Sequence, residues 1–379
     1  MTGQFLGIEM PALLEVFIKI NIVVLAMTVV VMGLIYGERK IIGRFQMRLG
    51  PTRTGPAGLL QSVADAIKLV GKEDLRPDRA DPWVFELSIY FIFVPVFVGF
   101  VVVPFAIGWE IRSLDMGLLY LLATSSVSGL GFVLAGWASD NRYAMLGALR
   151  AVAQGVAYEI PLVVTLLAAA MLSGSLNLGD IALDQSRVPN IVWQPLGFVI
   201  FYICMLAELN RAPFDISVGE SETAGGPHIE FSGIRWSMFQ LAEYAHLWIM
   251  SIVGAAIFLG GSVWPLGEEL GTPFQLLLMG IKSSAMIFLA IWTRATLPRL
   301  RVDQLMGFAW KVLMPLAFLQ ILINGFVQVY ELPLVLLTVQ GIAGIWVLSW
   351  AIQRAVAQPS GRPGLAVWAA TASGSEAAS

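Results

Sequence analysis

The sequence predicts an all-α, polytopic transmembrane protein, and three observations carry that prediction. Its 379 residues are 57% hydrophobic and only 13% charged, where a soluble chain of this length carries roughly a quarter charged residues. Several apolar runs reach the ~20 residues that a helix needs to cross a bilayer. The basic residues also keep to alternate gaps between those runs. Of the 23 lysines and arginines, only Arg112 and Arg187 fall in the other gaps, while Lys19 and Lys282 lie inside runs. Loops rich in lysine and arginine stay on the inner side, so the N-terminus is expected outside and the C-terminus inside.

The first span reads Ala12 to Tyr36. No basic region precedes it, and the run is too long and unbroken for a cleavable signal. An inner loop over 37–82 follows, with Arg39, Lys40, Arg44, Arg48, Arg53, Lys68, Lys72, Arg76 and Arg79. Within it, Leu59 to Lys72 forms an amphipathic helix at ~100° per residue. Leu60, Val63, Ala64, Ile67 and Val70 share one arc, and Gln61, Asp65, Lys68 and Lys72 the other. Such a helix lies in the membrane interface, where it also reads as a plain lipid-surface anchor. Asp65 and Lys68, one turn apart, are expected to pair with each other.

Further spans follow at Trp83–Ile107, Gly117–Ala138, Ala151–Ser173, Ile191–Ala207, Ile234–Gly260, Phe274–Thr296, Phe308–Val329 and Pro333–Ile352, about nine in all. The reading is a single transmembrane domain over 1–355, with a Ser/Ala/Gly/Pro-rich tail over 356–379 expected to be disordered. Lys19 reads as a residue that snorkels outward. Lys282, in a more apolar run, is the better functional candidate of the two.

The working part is expected over 207–236, an acidic inner hairpin between two apolar runs. Glu208, Asp215, Glu220, Glu222 and Glu230, with Glu243 just beyond, have only Arg211 and Arg235 to balance them. Charges beside or inside a bilayer are costly and mark ion paths or ligand sites. Counted from Ala151, Glu159 lies ~12 Å deep, and counted from Trp236, Glu243 lies ~10 Å deep. Glu208 closes the inner end of its span, where it also reads as a hydrogen-bonded helix-end residue. If the helices are neighbours, three carboxylates meet at one level, and His246 shares the face of Glu243. Clustered carboxylates raise one another's proton affinity and titrate as a group, which is what a proton relay needs.

Several classes are disfavoured. The single Cys204 excludes an internal disulfide and any four-cysteine cluster. His228 and His246 alone argue against a self-contained metal site. Gly129 and Gly131 begin a dinucleotide-like pattern, but Leu134 stands where its third glycine belongs. A secondary transporter would show inverted repeats and broken mid-membrane helices, and no such repeat is present. A passive anchor explains the basic loop but leaves the buried glutamates without a reason. Nothing in the sequence suggests nucleic acid as a partner.

The motifs resemble those of a known family. Glu38-Arg39-Lys40, Arg48-Leu49-Gly50-Pro51, Ala64-Asp65-Ala66-Ile67-Lys68 and Lys72-Glu73 resemble the first inner loop of the H-type membrane protein of NADH:quinone oxidoreductase, respiratory complex I. Gly136-Trp137-Ala138-Ser139, Gly147-Ala148-Leu149-Arg150 and Tyr158-Glu159 are similar to its next inner segment. Glu208 to Asp215, Gly219-Glu220-Ser221-Glu222, Glu230-Phe231-Ser232-Gly233 and Ala242-Glu243-Tyr244 resemble its acidic hairpin, and Arg294 to Met306 its last inner loop. The resemblance covers nearly all spans in order.

It implies a multi-pass subunit of a proton-translocating enzyme in the inner (cytoplasmic) membrane, with no redox centre of its own. Flavin and iron–sulfur clusters would belong to peripheral partner subunits, and further subunits of the membrane arm would flank it. Quinone (ubiquinone or menaquinone) would be a non-covalent substrate. By position, Glu159, Glu208 and Glu243 would be relay carboxylates, with Glu220, Glu222 and Glu230 as the funnel toward them. Arg44, Phe45, Arg48, Arg211, Phe214 and Asp215 would surround the quinone chamber. Asp65, Lys68, Arg294, Arg299, Arg301 and Asp303 would border the same inner surface, where packing against partners is an equal reading. Two departures stand out. Val218 replaces a common family glutamate, and Ser125-Ser126 occupies a site where some bacterial relatives carry a buried one. Homologous subunits of ferredoxin- or coenzyme F420-linked dehydrogenases and of membrane hydrogenases are the alternative within this resemblance.

Overall fold

A computed structural model describes residues 2–5, 8–217, 219, 224–265 and 271–357. The expected Glu220, Glu222 and Val218, and the tail beyond 357, lie outside the described residues, as does the side chain of Lys19. Eight of the described helices are long and apolar enough to cross a membrane, and Pro195–Glu208 is a shorter apolar helix beside them. The chain is a multi-pass helical membrane protein. A short antiparallel pair, β1 (Thr2–Phe5) and β2 (Ile8–Pro11), precedes the first helix.

Helix α1 (Ala12–Phe45) does not stop at Tyr36. Its 34 residues span ~51 Å, well beyond the ~30 Å hydrocarbon core. Apolar periodicity ends where the bilayer ends, but Glu38, Arg39 and Lys40 are no obstacle to a helix. The chain then folds back on α1, with Arg48 N–H donating to the Gly43 carbonyl at 2.8 Å. A Cβ on Gly43 would lie 3.1 Å from the nitrogen of Gly50, tighter than most such contacts, so glycine suits this close return.

The amphipathic helix is α2 (Gln61–Gly71). Its polar side docks on α1. Ser62 Oγ donates to the Met32 carbonyl at 3.0 Å, and Arg39 bonds Asp65 at 2.5 Å. The expected Asp65–Lys68 pairing gives way to Asp65–Arg39, because the longer α1 brings an arginine within reach. Leu59, Ile67 and Val70 remain exposed.

Helix α3 (Pro82–Gly99) starts on Asp81, whose carboxylate accepts from Trp83 N–H at 3.2 Å. It packs along α4 (Gly117–Ala138). Helix α5 (Arg142–Ser173) begins earlier than predicted, because Asn141 caps it by accepting from Tyr143 N–H at 2.9 Å. After α6 (Leu178–Asp184) the predicted fifth span is split into α7 (Asn190–Trp193) and α8 (Pro195–Glu208). Proline removes a helix donor and clashes with the preceding turn, which places the break at Gln194.

Helix α9 (Gly233–Phe258) is the hub, with every residue from Ile249 to Phe258 buried. Helix α10 (Thr272–Thr296) packs against it, whereas the span formed by α11 (Val302–Phe308), a π turn and α12 (Met314–Val329) packs against α5, and α13 (Val335–Ala357) against α8. Lys282 of α10 caps the end of α9. Its ammonium donates to the carbonyls of Leu259, Gly261 and Trp264 at 2.5, 2.7 and 2.5 Å, which gives this charge a structural task.

Candidate functional site

Two groups of charged residues flank α9. The first lies where the C-terminal parts of α1 and α10 meet the N-terminal half of α9. Glu38 is buried there and takes two guanidinium groups, Arg211 at 2.8 Å and Arg294. Arg211 is itself buried and lies over the Tyr244 ring, 4.6 Å from its centroid. Burial alone would lower the Arg211 pKa, but the Glu38 carboxylate beside it raises it. Above this network opens a cleft of about 560 Å³. It is lined by Glu38, Arg39, Arg48, Tyr244, Arg294 and the apolar turn at Leu49–Pro51.

Of the six residues expected around a quinone chamber, Arg48 lines this cleft and Arg211 lies behind its Glu38 wall. Arg44 and Phe45 sit exposed at the end of α1. Phe214 is buried elsewhere, with its ring 5.5 Å from that of Tyr158 and its carbonyl accepting from Gln154 at 2.8 Å. Asp215 is half-buried just beyond it. Sequence reasoning missed Glu38 and Tyr244 as site residues. Only the density of charge around Glu38-Arg39-Lys40 hinted at the first.

The loop between α10 and α11 clamps the segment that follows α8. Leu300 N–H donates to the Pro213 carbonyl at 3.1 Å, and Arg299 donates to Ile216 at 3.3 Å. The Arg299 guanidinium lies so close to Gly219 that a Cβ there would overlap it. Arg301 and Asp303 open α11. Lys68 is exposed on α2.

The second group lies among α4, α5, α8 and α9, where its carboxylates are partly buried. Adjacent serines of α4 hold two of the expected carboxylates. Ser125 Oγ donates to Glu208 and Ser126 Oγ donates to Glu159. His246 of α9 approaches the first pair, with Nε2 3.5 Å from Ser125 Oγ and 3.7 Å from Glu208 Oε1. Glu243, one turn earlier on α9, has His228 Nε2 at 3.3 Å. Glu208, Glu243 and His246 border a small cavity of about 30 Å³. Glu230 stands apart. It accepts from Asn141 Nδ2 at 2.7 Å and borders an open cleft of about 490 Å³ with Arg79 and Arg142. The structure thus brings Glu159, Glu208 and Glu243 into one region, the first two through adjacent serines and the last two around a shared cavity. Sequence reasoning treated Ser125-Ser126 as a loss and placed His246 with Glu243.

A multi-pass helical bundle with a charged cleft and with carboxylates hydrogen-bonded between its helices defines the class: a membrane protein that carries clustered ionisable groups. The family model described as NADH dehydrogenase matches residues 18–325. The H-type chain of the NADH-quinone oxidoreductase of Brevibacillus brevis is 47% identical over 297 residues, covering 78% of this chain and 88% of the relative. The proteins of the same name from Dehalococcoides mccartyi and Geobacillus kaustophilus are 46% identical over 293 residues and 45% over 310. These cover 77% and 81% of this chain, and 81% and 92% of the relatives. The chain belongs to the NADH dehydrogenase family.

Proposed function

We propose that this chain is the H-type membrane subunit of a proton-translocating NADH:quinone oxidoreductase in a cytoplasmic membrane, with its N-terminus outside. It lines the quinone chamber with its inner cleft and starts the proton path with its partly buried carboxylates. Peripheral subunits carrying flavin and iron–sulfur clusters deliver the electrons, and membrane-arm subunits receive the consequence of quinone reduction. The observation that carries this reading is the juxtaposition on α9 itself. Tyr244 lines the cleft, while the preceding residue, Glu243, lines the small cavity with Glu208.

The cleft suits a small-molecule site in size, and its rim offers donors from Arg39, Arg48, Arg294 and Tyr244 to quinone oxygens. Its apolar turn at Leu49–Pro51 faces the isoprenoid side. Arg211 lies between Glu38 and the neighbourhood of Glu243. A change of charge in the cleft is therefore felt at the carboxylates through the field of a buried guanidinium, which is screened far less than an exposed one. Glu230, with the hairpin's Glu220 and Glu222, supplies protons from the inner side.

Glu208→Gln combined with Glu243→Gln tests this reading. In the assembled complex the double variant is expected to lower NADH-driven quinone reduction and proton pumping by roughly a hundredfold, the scale of a lost proton-transfer group. Oxidation of NADH by an artificial acceptor, a property of the peripheral partners, is expected to persist. Normal pumping by the assembled double variant would remove the relay assignment.

A further inference from the structure

We propose that His246 is a proton-carrying member of the path, passing protons between Glu208 and Glu243, and not a packing residue. The inference rests on the relay reading above and adds a residue to it.

The chain has two histidines, and each faces a relay carboxylate: His228 approaches Glu243 and His246 approaches Glu208. His246 shares a helix face with Glu243, yet its Nε2 meets α4 and α8. It therefore stands between two acids on different helices. The second oxygen of Glu208, Oε2, is buried and has no hydrogen-bond partner among the described residues, and the same holds for Asn210 Oδ1. Both residues border the 30 Å³ cavity, together with Ser128, Glu243 and His246. That is more than the roughly 10–15 Å³ one water requires, and a water needs two to four polar partners. The cavity thus has room for at least one water bridging Glu208, Asn210 and Glu243 beside the imidazole. On its other side His246 borders a smaller pocket with Thr124, Ser125 and Ser128. The aromatic and aliphatic neighbours Ile92, Val96 and Phe132 offer no other proton carrier on that side.

Imidazole exchanges protons at both ring nitrogens, so it can take one at Nε2 and release one at Nδ1. The step balances as one proton. Neutral His246 takes a proton from the Glu208 carboxyl, leaving a carboxylate and an imidazolium. The imidazolium releases a proton through the cavity water to the Glu243 carboxylate and is neutral again. No electron moves. Ser125 orients the exchange, since its hydroxyl meets both Glu208 and Nε2. Ser126, the next residue, ties Glu159 to the same strip of α4.

The test separates carrying a proton from holding a shape. Asparagine keeps a hydrogen-bonding group of similar size but carries no proton, whereas aspartate carries one. In the intact complex reconstituted into vesicles, with assembly checked on native gels, quinone reduction and proton pumping are measured for His246→Asn, His246→Asp and Glu208→Gln. The expected result is a loss of at least roughly tenfold in His246→Asn, with partial recovery in His246→Asp. A packing role predicts the reverse order. Wild-type pumping by His246→Asn, or an aspartate variant no better than asparagine, would overturn the proposal. If His246→Asp fails to assemble, added imidazole replaces it as the carrier in His246→Ala vesicles. Recovery supports the proposal and its absence overturns it. An unimpaired Glu208→Gln would instead remove the relay reading itself, and the inference with it.

Discussion

The acid of the cleft and the acids between α4, α5 and α8 are held in opposite ways. Glu38 is matched by two guanidinium groups, Arg211 and Arg294, and is almost wholly enclosed. Glu208 and Glu159 stand on apolar helices, and their closest contacts are the serine hydroxyls of α4. An arginine is never deprotonated in a protein, so it fixes its carboxylate in the charged form. A hydroxyl donates to a carboxylate and accepts from a carboxylic acid, so it tolerates both forms. The first arrangement makes a rigid charged wall; the second leaves carboxylates free to change protonation. A chain that had to sense a charge and then move a proton would need both kinds, side by side.

Breaking the wall should have the largest effect. Glu38→Gln leaves Arg211, only 6% exposed, without its full counter-charge. Removing one member of a buried pair costs about 3–5 kcal/mol, whereas replacing both by apolar groups is often neutral. Glu38→Gln is therefore expected to lower the thermal transition of the assembled subunit and to open residues 207–217 to proteolysis. Glu38→Gln with Arg211→Met should recover most of that stability. If the single variant is as stable as the parent, the stacking of Arg211 on Tyr244 is the dominant support and the two regions differ less in how they hold their acids.

The spans were legible because apolar runs and basic gaps report the bilayer directly. Their partners were not. Glu38 and Arg211 are 173 positions apart, and no periodicity links them. Helix period placed His246 on the face of Glu243 correctly, but it says nothing of which neighbouring helix comes to that face. Ser125-Ser126 read as a missing carboxylate because a hydroxyl in an apolar run is ordinary; only the approach of α5 and α8 gives the two serines their acids. The Asp65–Lys68 expectation failed for a related reason. Local spacing ranks the nearest charge in sequence, and the extension of α1 supplied a better one from elsewhere.

A substitution at the cleft's rim sharpens the contrast at smaller scale. Arg48 lines the cleft without a carboxylate partner at salt-bridge distance among the described residues, and its Nε donates to Gln46 at 2.6 Å. It is a donor held ready, unlike Arg211. Arg48→Ala is expected to raise the apparent KM for quinone by roughly fivefold to tenfold with kcat little changed, the signature of lost uniform binding. Steady-state kinetics with a short-tailed quinone checks it. Unchanged quinone kinetics would move Arg48 from chamber lining to lipid contact, and the cleft would lose one of its assigned donors.

The smallest effect belongs to the pair that is neither buried nor catalytic. Burial pushes the Asp65 carboxyl up, but the hydrogen bonds from Arg39 and Gln61 outweigh it and hold the group below its ordinary range. A carboxylate with a depressed folded pKa contributes stability that is complete above its unfolded value, ~3.9, and is lost as pH falls through the folded one. The docking of α2 on α1 should therefore be insensitive to pH near neutrality and loosen only in acid. With the two side chains 48% and 25% exposed, the pair is worth no more than about 1 kcal/mol and is screened by salt. Asp65→Asn is expected to raise amide exchange in Gln61–Gly71 slightly at low salt and to abolish its acid dependence. Equal protection in the variant at every pH would show that Ser62 and the apolar contacts of α2 hold it, and that a surface ion pair at the edge of the charged wall adds nothing to it.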